Sequence, residues 1–413
     1  ATRLHRLGGI EYLLLGAVIG PHALGWLSSD ALESLDLFVS FVLGVIGFLV
    51  ALGLRRVRGG FEIALAGAVI AILVAASVGG AAIGVVQAID PALLQVGDPV
   101  AAVPLLSDGD YLVSLWLAPD ALWIGLAVGA AAAVSSVTLL EIAAVHARGS
   151  RGWLDALHGL AAVGQATAIL LFGVAMAGVR ASDTAGALGL TLTEWGGITI
   201  IAGVVTGIMF TVFIGRDDDP LRLLVATVGV VTFCAGIGVA LGVSPLVVNL
   251  IAGAMVALTS PHAELLDRAL DRLRFPTRVL VLLLAGAYWV PMPLPAWPLP
   301  IGYALLRLAA LRVSSRLAAA TFLPASGLGV RLGVGLGAQG ALAAAIAFNF
   351  AQRLPEIAGP VTNTVLGGLV LTALFIPRAA HRYLIDQGAL TADDPPASSS
   401  TSTASASTRR ERV

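Results

Sequence analysis

Apolar runs of about twenty residues, long enough to cross a bilayer as helices, recur along this chain and divide it into twelve spans. They fall at roughly 10–27, 35–54, 61–88, 121–146, 156–179, 195–214, 221–242, 245–259, 276–291, 299–319, 328–350 and 360–379. The turn Gly242-Val243-Ser244-Pro245 alone separates the seventh from the eighth. Two segments between spans stand out. Asp90–Asp120 is a long loop containing Pro91, Pro99 and Pro104. Pro261–Arg274 carries Glu264, Asp267, Arg268, Asp271 and Arg272 at helical spacing, which predicts a separate amphipathic surface helix with a solvated, ion-paired face. From Thr391 onward the chain turns into a Ser/Thr/Ala-rich polar tail that cannot bury a core, so residues 390–413 are expected to be disordered.

Polar islands interrupt the apolar pattern at Ala132–Ala177. The fourth span carries Ser135-Ser136-Val137-Thr138 near its middle, and the fifth carries Gly164-Gln165. Polar groups at membrane mid-depth are costly unless protein satisfies them or they line a cavity. These two neighbouring segments are therefore where function is sought.

Composition narrows the class. The chain is 58% hydrophobic and 12% charged, about half the charged share of a soluble domain, and reads as a polytopic membrane protein. A net charge of −1 gives no reason to expect nucleic acid. All 24 basic residues are Arg, which reads as composition bias. The single cysteine, Cys234, sits in an apolar run and supports neither a disulfide framework nor a thiolate metal site. No Walker-type loop, metal-spaced His cluster or nucleophile elbow occurs, so neither enzyme chemistry nor a cofactor is expected. No cleavable signal peptide is read, and the missing initiator Met suggests a trimmed start.

Arginine placement predicts orientation. One side holds Arg3, Arg6, Arg55, Arg56, Arg58, Arg148, Arg151, Arg216, Arg222, Arg268, Arg272, Arg274, Arg378 and Arg382; the other holds only Arg180 and Arg353. Both termini are accordingly expected on the cytoplasmic side of the inner (plasma) membrane, and Asp90–Asp120 outside.

Several motifs resemble those of the bacterial monovalent cation/proton antiporters of the Kef and Nap type. Tyr12–Gly25 (YLLLGAVIGPHALG) is similar to that family's opening GYLLAGxxLGPxxLG. Phe48–Leu54 resembles its FLxGLEL, with Gly53 where the family prefers Glu. Gly242–Pro245 with Ile251-Ala252-Gly253 resembles GLSPxLGAFLAGL, and Gly335–Gly340 resembles GLxxQG. The likeness covers about residues 9–385. It implies an all-α inverted-repeat fold and a homodimer, with the family's first helix lying before Ala1. Within a transmembrane domain of residues 1–389, a moving core of about 61–179 and 299–379 would work against a scaffold of about 10–54 and 195–291. Two broken helices would cross in the core, at Ser135-Ser136 and around Gly335–Gly340. Small or polar islands inside apolar spans are what such breaks require.

One departure matters most. The family carries an Asp in the fifth span that exchanges a proton for the cation, and Gln165 occupies that place here. Gln can coordinate or hydrogen-bond but does not titrate. Ser135, Ser136, Thr138, Gly164 and Gln165 are the candidate cation site, although the hydroxyls could equally bond back to helix carbonyls. Asp155 and His158 are a candidate proton relay: His158 is seven residues before Gln165 and so on its helix face, with an interfacial histidine as the plainer reading. The family also pairs the acid with a basic residue in the tenth span. Arg307 fits best and Arg312 is the fallback, while Arg316 is read as snorkelling. With no Asp, Arg307 needs Glu141, a bound anion or an aqueous cavity; helix depth favours the cavity. Asp217-Asp218-Asp219 reads as a solvated loop.

The leading expectation is secondary transport of Na⁺ or K⁺, exchanged for protons with atypical coupling. A carrier of an anionic or organic solute is one alternative; a non-transporting sensor or accessory membrane subunit is another.

Overall fold

The computed structural model describes residues 9–57, 60–88, 119–136, 152–182, 189–213, 219–290, 297–323 and 332–386. Among these residues the chain is all-α, with no strand. In order the helices are α1 Ile10–Ile19, α2 Ser29–Ser34, α3 Asp36–Gly53, α4 Gly60–Ala88, α5 Pro119–Ala133, α6 Gly152–Ser182 and α7 Leu192–Phe213. Then follow α8 Pro220–Leu241, α9 Pro245–Thr259, α10 Ala263–Ala287, α11 Pro298–Phe322, α12 Leu332–Gly335, α13 Ala341–Arg353 and α14 Pro355–Asp386. Six of the described helices are long and apolar enough to cross a membrane unaided. Exposed apolar side chains such as Ile200, Ile201, Val205, Met209 and Val212 along α7 suit a lipid-facing surface.

Local chemistry sets several boundaries. Asp219 accepts the Leu221 backbone N–H at 2.9 Å, with Pro220 in the first turn of α8. The expected solvated Asp219 is thus a helix cap. Gly242, at φ 70°, closes α8 in the left-handed region that suits glycine. The predicted surface helix over Pro261–Arg274 is not a separate element. It runs through Pro276 into the next span as the single helix α10. Nor is its face fully solvated. Asp267 is buried and pairs with Arg56 at the end of α3 and with Arg274 at 2.7 Å. The exposed Glu264–Arg268 pair at 3.9 Å does follow the i,i+4 expectation.

Small residues let the helices approach closely, the packing currency available where water drives nothing. A Cβ on Gly129 of α5 would lie 2.3 Å from the Ala75 carbonyl oxygen of α4, and one on Gly47 of α3 would lie 2.1 Å from that of Leu246 in α9. Two groups of packed helices result. α4 packs on α5, α6 and α11, with α12 to α14 joining them; α3 packs on α8, α9 and α10, with α1 on α10 and α7 on α9.

Candidate functional site

The polar islands fall at a helix end and at a helix interruption. α5 ends at Ala133, leaving Val134–Ser136 non-helical, and residues 336–340 separate α12 from α13. A helix C-terminus leaves four carbonyls without intrahelical partners. Here side chains take up the carbonyls around the end of α5 in sequence. Gln339 donates to Ala131 O at 3.2 Å, Arg307 Nε to Ala132 O at 2.8 Å, Arg307 Nη2 to Val134 O at 2.7 Å, and Gln165 to Ser135 O at 2.7 Å. The second break is treated alike. Arg307 Nη1 donates to Gly337 O at 2.6 Å, and the Ser136 backbone N–H donates to Ala338 O at 2.8 Å. The two breaks therefore meet, and Arg307 joins them.

Arg307 is wholly buried. Its planar fork spreads three donors over three carbonyls, and two of those stand near the negative ends of α5 and α12. Backbone dipoles are thus its partners among the described residues, an answer additional to Glu141, an anion or an aqueous cavity. Glu141 and Thr138 lie outside the described residues. Arg312 is exposed and reaches only Leu308 O of its own helix, at 3.5 Å, so it takes no part in the crossing. Tyr303, four residues before Arg307, accepts from the Gln339 amide at 2.8 Å.

A cavity of about 440 Å³ reaches this crossing. Ser136, Gln165 and Gly340 line its inner end, with Ala161 and Ala162 beside them. Ile46, Leu49 and Val50 of α3 and Thr277 and Arg278 of α10 form the facing wall. Arg56 and His158 also border an outer cavity of about 600 Å³, lined by Asp155, Glu264, Asp267 and Arg268. The two cavities adjoin at Arg56 and His158, between the Arg-rich end of the bundle and the crossing. His158 stands there with Nδ1 2.8 Å from Leu154 O.

The structure therefore places Ser136, Gln165 and His158 on the inner cavity, and His158 and Asp155 on the outer one. Ser135 contributes its carbonyl, while its side chain is buried. Gly164 is off both cavities: it faces Gly67 and Ala71 of α4, in a packing seam. Sequence reasoning misses Gln339, Tyr303 and the orphan carbonyls as parts of the site. Tyr303 has a helical i,i+4 relation to Arg307 as its sequence signal, whereas a carbonyl has none.

A helix end and a helix interruption that meet at a shared buried arginine, with a cavity reaching them, are the elements of an inverted-repeat carrier site. The comparison with known families agrees. A model described as the transmembrane region of the sodium/hydrogen exchangers matches residues 9–381. The chain belongs to the sodium/hydrogen exchanger family. It is a multi-pass membrane protein, and its family is one of transporters, not enzymes. In fold it is similar to the sodium proton antiporter MjNhaP1 from Methanocaldococcus jannaschii, with a TM-score of 0.61, 13% identity and 92% of each chain covered. No curated protein sequence matches the chain. Among sodium/hydrogen exchangers, then, this chain presents an amide, Gln165, at the inner end of its cavity.

Proposed function

We propose that the protein exchanges a monovalent cation, Na⁺ or K⁺, for protons across the inner membrane, and that the proton is carried at the cavity wall. The observation that carries this reading is the pair of adjoining cavities that share Arg56 and His158, the inner one lined by Ser136 and Gln165. The neutral oxygens of Ser136 and Gln165 can replace part of a cation's hydration shell. Neither titrates near neutrality, whereas an imidazole does. Asp155, one turn before His158, bordering the same outer cavity, is placed to pass a proton between His158 and bulk water.

The two groups of packed helices supply the moving parts. α4 to α6 with α11 to α14 form the core, covering about 61–179 and 299–379. α1, α3 and α7 to α10 form the scaffold and the surface for a homodimer. The Arg-rich end faces the cytoplasm, as the positive-inside rule directs, so both termini lie there and the cavity is inward-facing. A reporter fused after Arg382 should be cytoplasmic and one inserted near Asp108 external; finding both on one side would refute this topology.

The transport reading is tested by dequenching of an imposed pH gradient in proteoliposomes. Na⁺, K⁺ and Li⁺ are added in turn as salts of a common impermeant anion. Dequenching by at least one cation is the expected result. A second reading, carriage of an anionic solute, draws on Arg307 standing at the crossing with an amide where an acid would balance it. No response to any cation, together with uptake that follows the anion, would favour it.

A further inference from the structure

The cavity separates the core and scaffold at one end of their seam. At the other end the same seam is bolted by polar side chains. α13 begins at the cavity, where Gly340, Ala341 and Leu342 line the inner end. Its far end carries Asn349, Gln352 and Arg353, and each reaches across to the scaffold or its neighbour. Asn349 and Ser244 are both fully buried, and the Ser244 hydroxyl donates to Asn349 Oδ1 at 2.6 Å. The Asn349 amide stands 3.5 Å from Gln352 Oε1, and the Gln352 amide donates to the carboxylate of Asp36 at the start of α3. Arg353 Nη2 reaches Gly238 O at 3.4 Å and Val243 O at 3.3 Å, both beside the turn between α8 and α9.

Ser244 is informative because it departs from habit. It is the N-cap of α9, where a serine hydroxyl ordinarily accepts an N–H of its own first turn. It makes no such bond here. The hydroxyl is spent on a helix 105 residues away instead. The chemistry also suits a contact that must open. A polar pair parted into water exchanges its bond for hydration at little net cost, whereas an apolar seal would expose its faces on each opening.

We propose that Ser244, Asn349, Gln352 and Asp36, with Arg353 on the α8–α9 turn, form a latch that holds the carrier closed on the Arg-poor side. The latch parts when the core moves to open that side. This rests on the reading of a core that moves against a scaffold, and the tests separate the two.

The first test replaces Ser244 and Asn349 by Cys in a Cys234→Ala background, which leaves no other thiol. Cross-linking the pair should lower cation-driven proton flux at least tenfold, with recovery on reduction. Flux that persists in the cross-linked protein would overturn the latch, while leaving transport itself established. The second test needs no transported ion. A Cys at Ala162, inside the cavity, is labelled by an impermeant maleimide from the Arg-rich side. Adding Ser244→Ala and Asn349→Ala should slow that labelling several-fold, because the population shifts away from the state open to that side. Unchanged labelling in a folded protein would overturn the latch, even if no tested cation is carried.

Discussion

Arg307→Met is expected to destabilise the protein by on the order of 5 kcal/mol, because three buried acceptors lose one shared donor. Three carbonyls, at Ala132, Val134 and Gly337, receive the Arg307 N–H groups inside a fully buried site. Met fills similar volume and offers no donor. Each stranded buried acceptor then costs about 1–3 kcal/mol, and the two breaks lose the residue that joins them. Arg307→Lys should recover only part of the loss. An ammonium is a point charge on a flexible stem and cannot hold the three-way spread of a planar guanidinium. Glu141→Gln leaves all three bonds intact and should be mild. Thermal unfolding of the purified protein in detergent checks the order Met, Lys, parent. A parent-like melting temperature for Arg307→Met would mean that the crossing does not depend on this arginine.

The difference between the expected and observed partners of Arg307 shows where sequence reading stops. Of the three arginines in the apolar run 299–319, Arg307 lies nearest the middle, and its burial follows from helix periodicity and depth. Its partners are backbone carbonyls in two other segments, and an orphan carbonyl leaves no trace in residue type. The interruptions themselves are legible, because Ser135-Ser136 and Gly335–Gly340 are small or polar islands in apolar runs. Gln165 is legible for the same reason. Pro276 misleads: after a charged segment it reads as a helix boundary, yet α10 runs through it. Asn349 and Ser244 escape notice because an isolated amide in an Ala-rich run and a serine before proline have ordinary local explanations. Their pairing exists only across the folded seam. Gly164 shows the reverse error, since adjacency to Gln165 suggests a shared site and helix geometry turns it to another face.

Gln165→Asp is expected to raise pH-dependent cation flux several-fold and to move its pH profile. The substitution puts a titratable oxygen at the inner end of the cavity, where Gln165 now bonds Ser135 O. Arg307 holds the adjacent carbonyl, Val134 O. Proton release and cation binding would then occur at one group, and the variant would no longer rely on the cavity wall for coupling. Flux and pH profile identical to the parent would show that this helix face takes no part in binding or exchange.

We place proton coupling at His158, where the two cavities adjoin, and not at the inner end beside Gln165. The most direct measurement is the pH dependence of cation-driven proton flux in proteoliposomes for the parent, His158→Gln and the double variant His158→Gln with Gln165→Asp. The parent should show a transition near neutrality, where an imidazole titrates. His158→Gln should lose that transition along with at least tenfold of the coupled flux, and the added Asp should restore flux with a shifted pH profile. A His158→Gln protein that keeps the parent's flux and transition would contradict the account.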